Sequence, residues 1–175
     1  MTESDIAVRT AGPADASDIA ELGAKTFFST YASHNTPEDI DAYIADAFST
    51  ERILGELEDP DSAFLLVIRD DTNIGFAKLR SSQAPDCVSG SNPIELERIY
   101  VDANNQGGGV GSLLMEAVLD YASSEGRESI WLGVWEKNTA ACEFYERQGF
   151  SPVGSKNFTV GSDRQNDVVM IRLLD

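Results

Sequence analysis

The chain has 175 residues, with 30 Asp and Glu against 13 Lys and Arg, a single His and a formal net charge of −17. A chain of this length buries a core without a disulfide or metal staple, and its 42% hydrophobic fraction argues against disorder. The acidity argues against nucleic-acid and anionic-membrane partners, which need a cationic face; it permits a cationic substrate, and it equally serves solubility or life in high salt. In chain order, Ile6–Arg9 reads as a short strand ended by Gly12-Pro13, and Asp15 as the N-cap of a helix running to about Phe28. Thr36-Pro37-Glu38-Asp39 opens a second helix, with Thr at the cap, Pro in the first turn and acids at the positive end of the dipole. A third helical piece covers about Thr50–Leu57. From Ser62 the period changes: Ala63–Arg69 and Ile74–Arg80 read as a hairpin around Asp70–Asn73, then Ile94–Val101 as a strand after a Ser, Gly and Pro-rich loop. A glycine-rich turn, Asn104–Gly111, leads into an amphipathic helix, Gly111–Ser124, closed by Gly126. Ser129–Val134 is nearly continuous in apolar residues, as buried parallel strands are. Thr139–Arg147 is a short helix, and Phe150–Val160 with Asp167–Leu174 forms a final antiparallel pair. The order predicts an α/β (α+β) chain with a mixed central sheet flanked by helices.

The charge is unevenly placed. Residues 1–61 hold 14 acids and 3 bases, a net of −11, and residues 62–175 hold 16 and 10, a net of −6. Four Lys against nine Arg fits salt adaptation as well. No run of about 18 apolar residues predicts a membrane span. The acidic, polar start MTESDIAVRTAG is unlike a secretory or transit peptide, so a reducing cytoplasm is expected. Cys87 and Cys142 have no CxxC spacing and no neighbouring His, so no metal site is expected, and their pairing stays open.

Gln106-Gly107-Gly108-Gly109-Val110-Gly111 stands between a predicted strand and a predicted helix. Successive glycines let backbone N–H groups converge, and the helix N-terminus adds positive partial charge, which together suit a pyrophosphate. A P-loop would need a Lys before Ser112, and none is there. A dinucleotide fingerprint would put its third small residue at Ser112 or Leu114 and would open a series of βαβ units. What remains is Q/R-x-x-G-x-G/A, filled by Gln106, Gly109 and Gly111; a plain flexible connector is the bland alternative. Downstream stands Asn138-x-x-Ala141-x-x-Phe144-Tyr145-x-x-x-Gly149-Phe150. The two motifs together resemble the GNAT N-acetyltransferase superfamily. Thr26–Tyr31, Asn35–Asp39, Glu95–Val101, Trp131–Asn138 and Gly161–Asp167 extend the resemblance to the PaiA-like spermidine/spermine N-acetyltransferases, over roughly Ala7 to Leu173.

That resemblance implies one GNAT domain over residues 1–175. Acceptor-side helices would lie at about 13–60 and an acetyl-CoA-binding core at about 94–150, with acetyl-CoA as cosubstrate and a polyamine or similar small cationic amine as acceptor. A protein N-terminus, an amino acid or an antibiotic amine stays open as acceptor, and so does a non-catalytic acyl-CoA sensor. A homodimer is compatible, though no sequence feature marks an interface. By resemblance, Ile99, Tyr100 and Val101 pair with the pantetheine arm, and Gln106, Gly107, Gly108, Gly109, Val110, Gly111 and Ser112 hold the pyrophosphate. Asn138 fixes the arm, or simply caps a helix, and Arg147 approaches the phosphates, or is an ordinary exposed Arg. The family's loop is often basic where this chain has Gly108, which removes one phosphate contact and leaves the backbone cradle. Chemically, an ammonium of pKa about 10.4 must lose a proton and a thiolate must gain one. Tyr145 is the candidate acid, against a core aromatic beside Phe144. Glu97 is the candidate base or water-positioner, since the apolar register shifts there as at a bulge, although burial on both faces explains the pattern equally; Glu95 and Glu136 are weaker alternatives. Cys142 reads as a small packed hydrophobe and His34 as a surface residue. Phe27, Phe28, Tyr31 and Tyr43 are candidates to line an amine channel, or are plain core. The acids of the N-terminal third suggest that the amine enters past those helices.

Overall fold

The computed structural model describes residues 5–175. Its seven strands form one sheet in the order β1-β2-β3-β4-β5-β7-β6, built from Ile6–Thr10, Ser62–Arg69, Thr72–Arg80, Pro93–Val101, Ser129–Trp135, Ser151–Val160 (β6) and Asp163–Leu173 (β7). All neighbouring pairs are antiparallel except β4 and β5. That parallel pair is joined by a helical crossover, α4 (Val110–Ser124), as parallel strands require. The remaining helices are α1 (Ala16–Tyr31), α2 (Pro37–Ala47), α3 (Thr50–Glu58) and α5 (Thr139–Arg147).

Local chemistry explains most of these boundaries. The Thr36 hydroxyl accepts from the Asp39 N–H at 3.2 Å, and the Ser49 hydroxyl from the Arg52 N–H at 3.1 Å, so α2 and α3 start at side-chain caps. Asp15 stands at the N-cap of α1 as expected, but its side chain makes no capping hydrogen bond. It ends a single 3₁₀ turn, Pro13–Asp15, and its carboxylate instead holds Arg9 at 2.8 and 2.9 Å and the Gly12 N–H at 2.9 Å. The first hairpin is tighter than expected: only Asp70 and Asp71 lie between strands, both with positive φ (48° and 63°), the conformation of a two-residue turn matching strand twist. The last hairpin is longer. β7 begins at Asp163, not Asp167, and pairs back across Gly161-Ser162. The polar run Asp163–Asn166 concealed this, because those residues satisfy a backbone ladder without supplying an apolar pattern.

Alternation along β2 sends Phe64 and Leu66 to one face of the sheet and Leu65 and Val67 to the other. The first pair packs with α1–α3 and the second with α4, so both faces are buried and the strand reads as continuously apolar. The functional consequence lies in the middle of the sheet. β4 and β5 pair only from Pro93↔Ser129 to Glu95↔Trp131, although β4 runs on to Val101 and β5 to Trp135. β5 stays with β7 as far as Trp135↔Asp167. The two halves of the sheet therefore splay, and one edge of β4 is left open.

Candidate active site

The splay opens into a cleft of about 750 Å³. Its floor is set by a bulge. Lys78 faces Arg98 and Leu79 faces Leu96, so Glu97 is the extra residue of β4. A bulge takes a residue out of the ladder and re-aims its side chain. Glu97 thereby meets Lys78 at 2.6 Å, Arg80 at 3.4 Å and Arg98 at 3.8 Å. Glu56 of α3 completes the network, 3.2 Å from Lys78 and 3.1 Å from Arg98. Burial pushes the Glu97 carboxyl up, but Arg98, Lys78 and Arg80 more than offset it, and it lies below its ordinary value of 4.5. It is an ionised anchor and a poor free base. Glu95, 3% exposed, is held by Arg80 and the Ser82 hydroxyl. Glu136 is outside the cleft, exposed and bonded to Asn166.

Ile99, Tyr100 and Val101 line the cleft along the open β4 edge. The turn beyond is shaped by Gly107 (φ 82°) and Gly109 (φ 83°), the latter at the N-cap of α4. Gln106, Gly107, Gly109, Gly111 and Ser112 line the cleft, while Gly108 does not and the Val110 side chain is in the core. Gln106 donates to the Val101 carbonyl at 3.1 Å, and the Ser112 hydroxyl accepts from Gln148 at 3.1 Å. A Cβ on Gly111 would make ordinary contact, 3.4 Å, with the Phe144 ring, which docks α5 on α4. Asn138 is the N-cap of α5. Its Oδ1 caps α5 at the Ala141 N–H (3.2 Å), and the side chain lines the cleft with its N–H donors unspent among the described residues. Arg147 is exposed on the last turn of α5, at the rim.

Tyr145 lines the cleft between Phe144 and Phe150, at ring distances of 5.5 and 5.9 Å. Burial first, then Tyr100 and Cys142, push its phenol above the usual value, so it carries its proton at any working pH. Cys142 is a free thiol pushed up by burial and by Glu146, the opposite of an activated nucleophile. Cys87 is free as well.

The far end of the cleft is walled by rings. Phe27 stacks on Tyr31 (4.4 Å) and Tyr43 (4.3 Å), Tyr31 on Trp135 (5.0 Å), and Phe158 stands edge-on to Tyr43 (5.8 Å). Phe28 is not among them; it is 52% exposed. His34 lies outside the cleft, edge-on to Trp135 at 4.8 Å. Nor do Glu38, Asp39 or Asp41 line the cleft; Asp39 accepts a hydrogen bond from Ser162 instead. Four residues at this end escaped the sequence reading: Trp135, Lys156, Phe158 and Asp167. Asp167 carried a signal, since it shares the alternation of Val169 and Ile171 and so falls on a buried strand phase. Among the described residues no cluster of His, Cys, Asp and Glu suits a metal, and no helix is long and apolar enough to cross a membrane.

The family model of the Acetyltransferase (GNAT) family matches residues 19–150, most of the chain. The chain belongs to the GNAT acetyltransferase family. Its relatives include an uncharacterized N-acetyltransferase of Lactobacillus delbrueckii subsp. lactis, from the pepI 3′ region, 31% identical over 91% of this chain and 92% of that one. An uncharacterized N-acetyltransferase of Mycobacterium tuberculosis is 32% identical over 91% and 98%. The fold is that of the PaiA N-acetyltransferase from Thermoplasma acidophilum, solved in complex with coenzyme A, with a TM-score of 0.79, 23% identity, and 97% and 99% of the two chains covered. This GNAT protein is thus an N-acetyltransferase, with acetyl-CoA as acyl donor. The donor suits the residues present: an open strand edge and a left-handed glycine loop at a helix N-terminus face one cleft.

Proposed function

We propose that this GNAT enzyme acetylates a primary amine of a polyamine or similar small cationic amine, in a cytoplasmic setting. The observation that carries this is the aromatic wall at the acceptor end of the cleft, since ring faces attract organic cations. Acetyl-CoA supplies an activated acetyl group. The β4 edge from Glu97 to Val101 offers backbone donors and acceptors to an extended chain, as a sheet edge does to an added strand. Gln106 to Ser112 and Arg147 receive the phosphates, and Asn138 contributes its free amide N–H groups beside the β5 end. The bulge at Glu97 leaves backbone groups unpaired at the vertex of the splay, where a developing oxyanion needs a donor. Glu97, held ionised, orders water along which the ammonium proton departs. Tyr145 Oη serves as a hydrogen-bond donor to the departing sulfur. Burial makes full ionisation of that phenol harder than for a free tyrosine, which shifts the role from outright acid to donor.

The test is thiol release from acetyl-CoA against spermidine, spermine, putrescine, amino acids, short peptides and an aminoglycoside. Turnover is expected to be fastest with the polyamines. Preference for amino acids or peptides would move the acceptor class, and coenzyme binding with no turnover on any amine would make the chain a sensor.

A further inference from the structure

The cleft contains three carboxylates, and two of them are occupied: Glu95 by Arg80, and Glu97 by Lys78, Arg80 and Arg98. The third is Asp167, at the β7 position opposite Trp135, 6% exposed. Its Oδ1 has no hydrogen-bond partner, and no cation stands within ion-pairing distance among the described residues. Burying a carboxylate without a partner is costly, and an open one lining a cleft is a candidate ligand contact. The chain makes room there. Gly133 lies mid-strand, and a Cβ on it would stand 3.2 Å from Asp167 Oδ2 and 2.5 Å from Lys156 Cε. Lys156, the cross-strand neighbour of Asp167, stands near it without pairing: its Nζ would be 3.3 Å from that Cβ and is 5.8 Å from the Trp131 ring centroid, beyond ion-pairing distance of the carboxylate. Tyr31 and Trp135 stack beside this site.

We infer that Asp167 is the specificity carboxylate of the acceptor site, pairing with a cationic nitrogen that the acceptor keeps throughout the reaction. The attacking nitrogen must shed its proton, whereas a carboxylate facing an ammonium holds that proton on; an anion fixed in an aromatic pocket therefore suits the charge that does not react. The inference rests on the cationic-amine reading and narrows it to acceptors with a second positive charge.

Calorimetric titration of putrescine and butylamine, with acetyl-CoA kinetics on the same preparations, tests it. Asp167→Asn is expected to weaken putrescine binding by about tenfold or more, the scale of a charged hydrogen bond, and to collapse the preference for putrescine over butylamine, with coenzyme affinity retained. Lys156→Met, which removes an opposing cation, is expected to tighten putrescine. Unchanged putrescine affinity in Asp167→Asn would overturn the assignment while leaving polyamine acetylation standing. Equal kcat losses on both amines, with a displaced pH–rate profile, would make Asp167 a base for the attacking nitrogen and also overturn it. Binding through Asp167 without acetylation would instead remove the polyamine reading and keep the site.

Discussion

At the level of single side chains, the site depends on which groups hold protons and which have partners. Tyr145 is neutral like any phenol at neutral pH, burial only raises its pKa further, and its ring is fixed independently of its hydroxyl by Phe144 and Phe150. Tyr145→Phe is therefore expected to lower kcat about 10- to 100-fold, with the acetyl-CoA KM within about twofold of wild type in steady-state assays. Asp167 shows the reverse economy of partners. Burial raises its carboxyl above the ordinary 3.8, only partly countered by Lys156. The folded state thus binds this proton more tightly than the unfolded state, and as pH rises past the ordinary 3.8 this carboxyl weakens the fold. Asp167→Asn is expected to be more stable than wild type at pH 7.5, by about 1 kcal/mol, with the gain vanishing as the pH falls through 4. Thermal melts at the two pH values check this, and a destabilised variant at pH 7.5 would contradict it. Glu97 titrates in the other direction, held low by its three cations, and is tuned for charge rather than basicity.

At the level of elements, the splay of β4 from β5 and the glycine turn into α4 build the donor half of the site. The turn's glycines are not equivalent. Gly109 has φ 83° at the N-cap of α4, where an L side chain is strained, whereas Gly108 has ordinary φ and open space where a Cβ would be. Gly109→Ala is expected to cost about 1–2 kcal/mol and to raise the acetyl-CoA KM. Gly108→Arg is expected to leave the melting temperature unchanged and to lower that KM about threefold by restoring a phosphate contact. Much of this element chemistry was legible beforehand. Gln106–Gly111 and Asn138–Phe150 are local patterns, and the caps at Thr36 and Asn138 operate within three residues. The start of β7 was not legible, because Asp163–Asn166 is polar on both faces and is held by ladder pairing with β6 rather than by apolar alternation.

Across the whole molecule, the net charge of −17 does not describe the cleft. The cleft-lining charged residues are Glu95, Glu97 and Asp167 against Arg80, Arg98, Arg147 and Lys156, and the exposed acids of α2 lie elsewhere. With a Debye length of about 8 Å in physiological salt, such remote charges act weakly on a bound amine. The double variant Glu38→Gln/Asp41→Asn is expected to change the acceptor KM less than about twofold at physiological ionic strength. A larger change would restore the route past the N-terminal helices that charge distribution alone suggests.

The sequence by itself determined the parts of this GNAT enzyme that rest on near neighbours: the caps at Thr36 and Asn138, the glycine turn into α4 and the α5 motif with Tyr145. It left the break in alternation at Glu97 open between a bulge and burial on both faces, and the register of β3 and β4 decided for the bulge. Only the tertiary structure decided what those residues face. Glu56 and Arg98 are 42 residues apart and meet because α3 packs under the bulge. Phe27, Trp135 and Phe158 come from three elements and form one wall. Asp167 and Gly133 share a pocket because β5 follows β7 away from β4. A local pattern records backbone preference and the burial of a face. Whether a buried charge is paired or left open is set by cross-strand register and by the sheet's splay, and these are long-range.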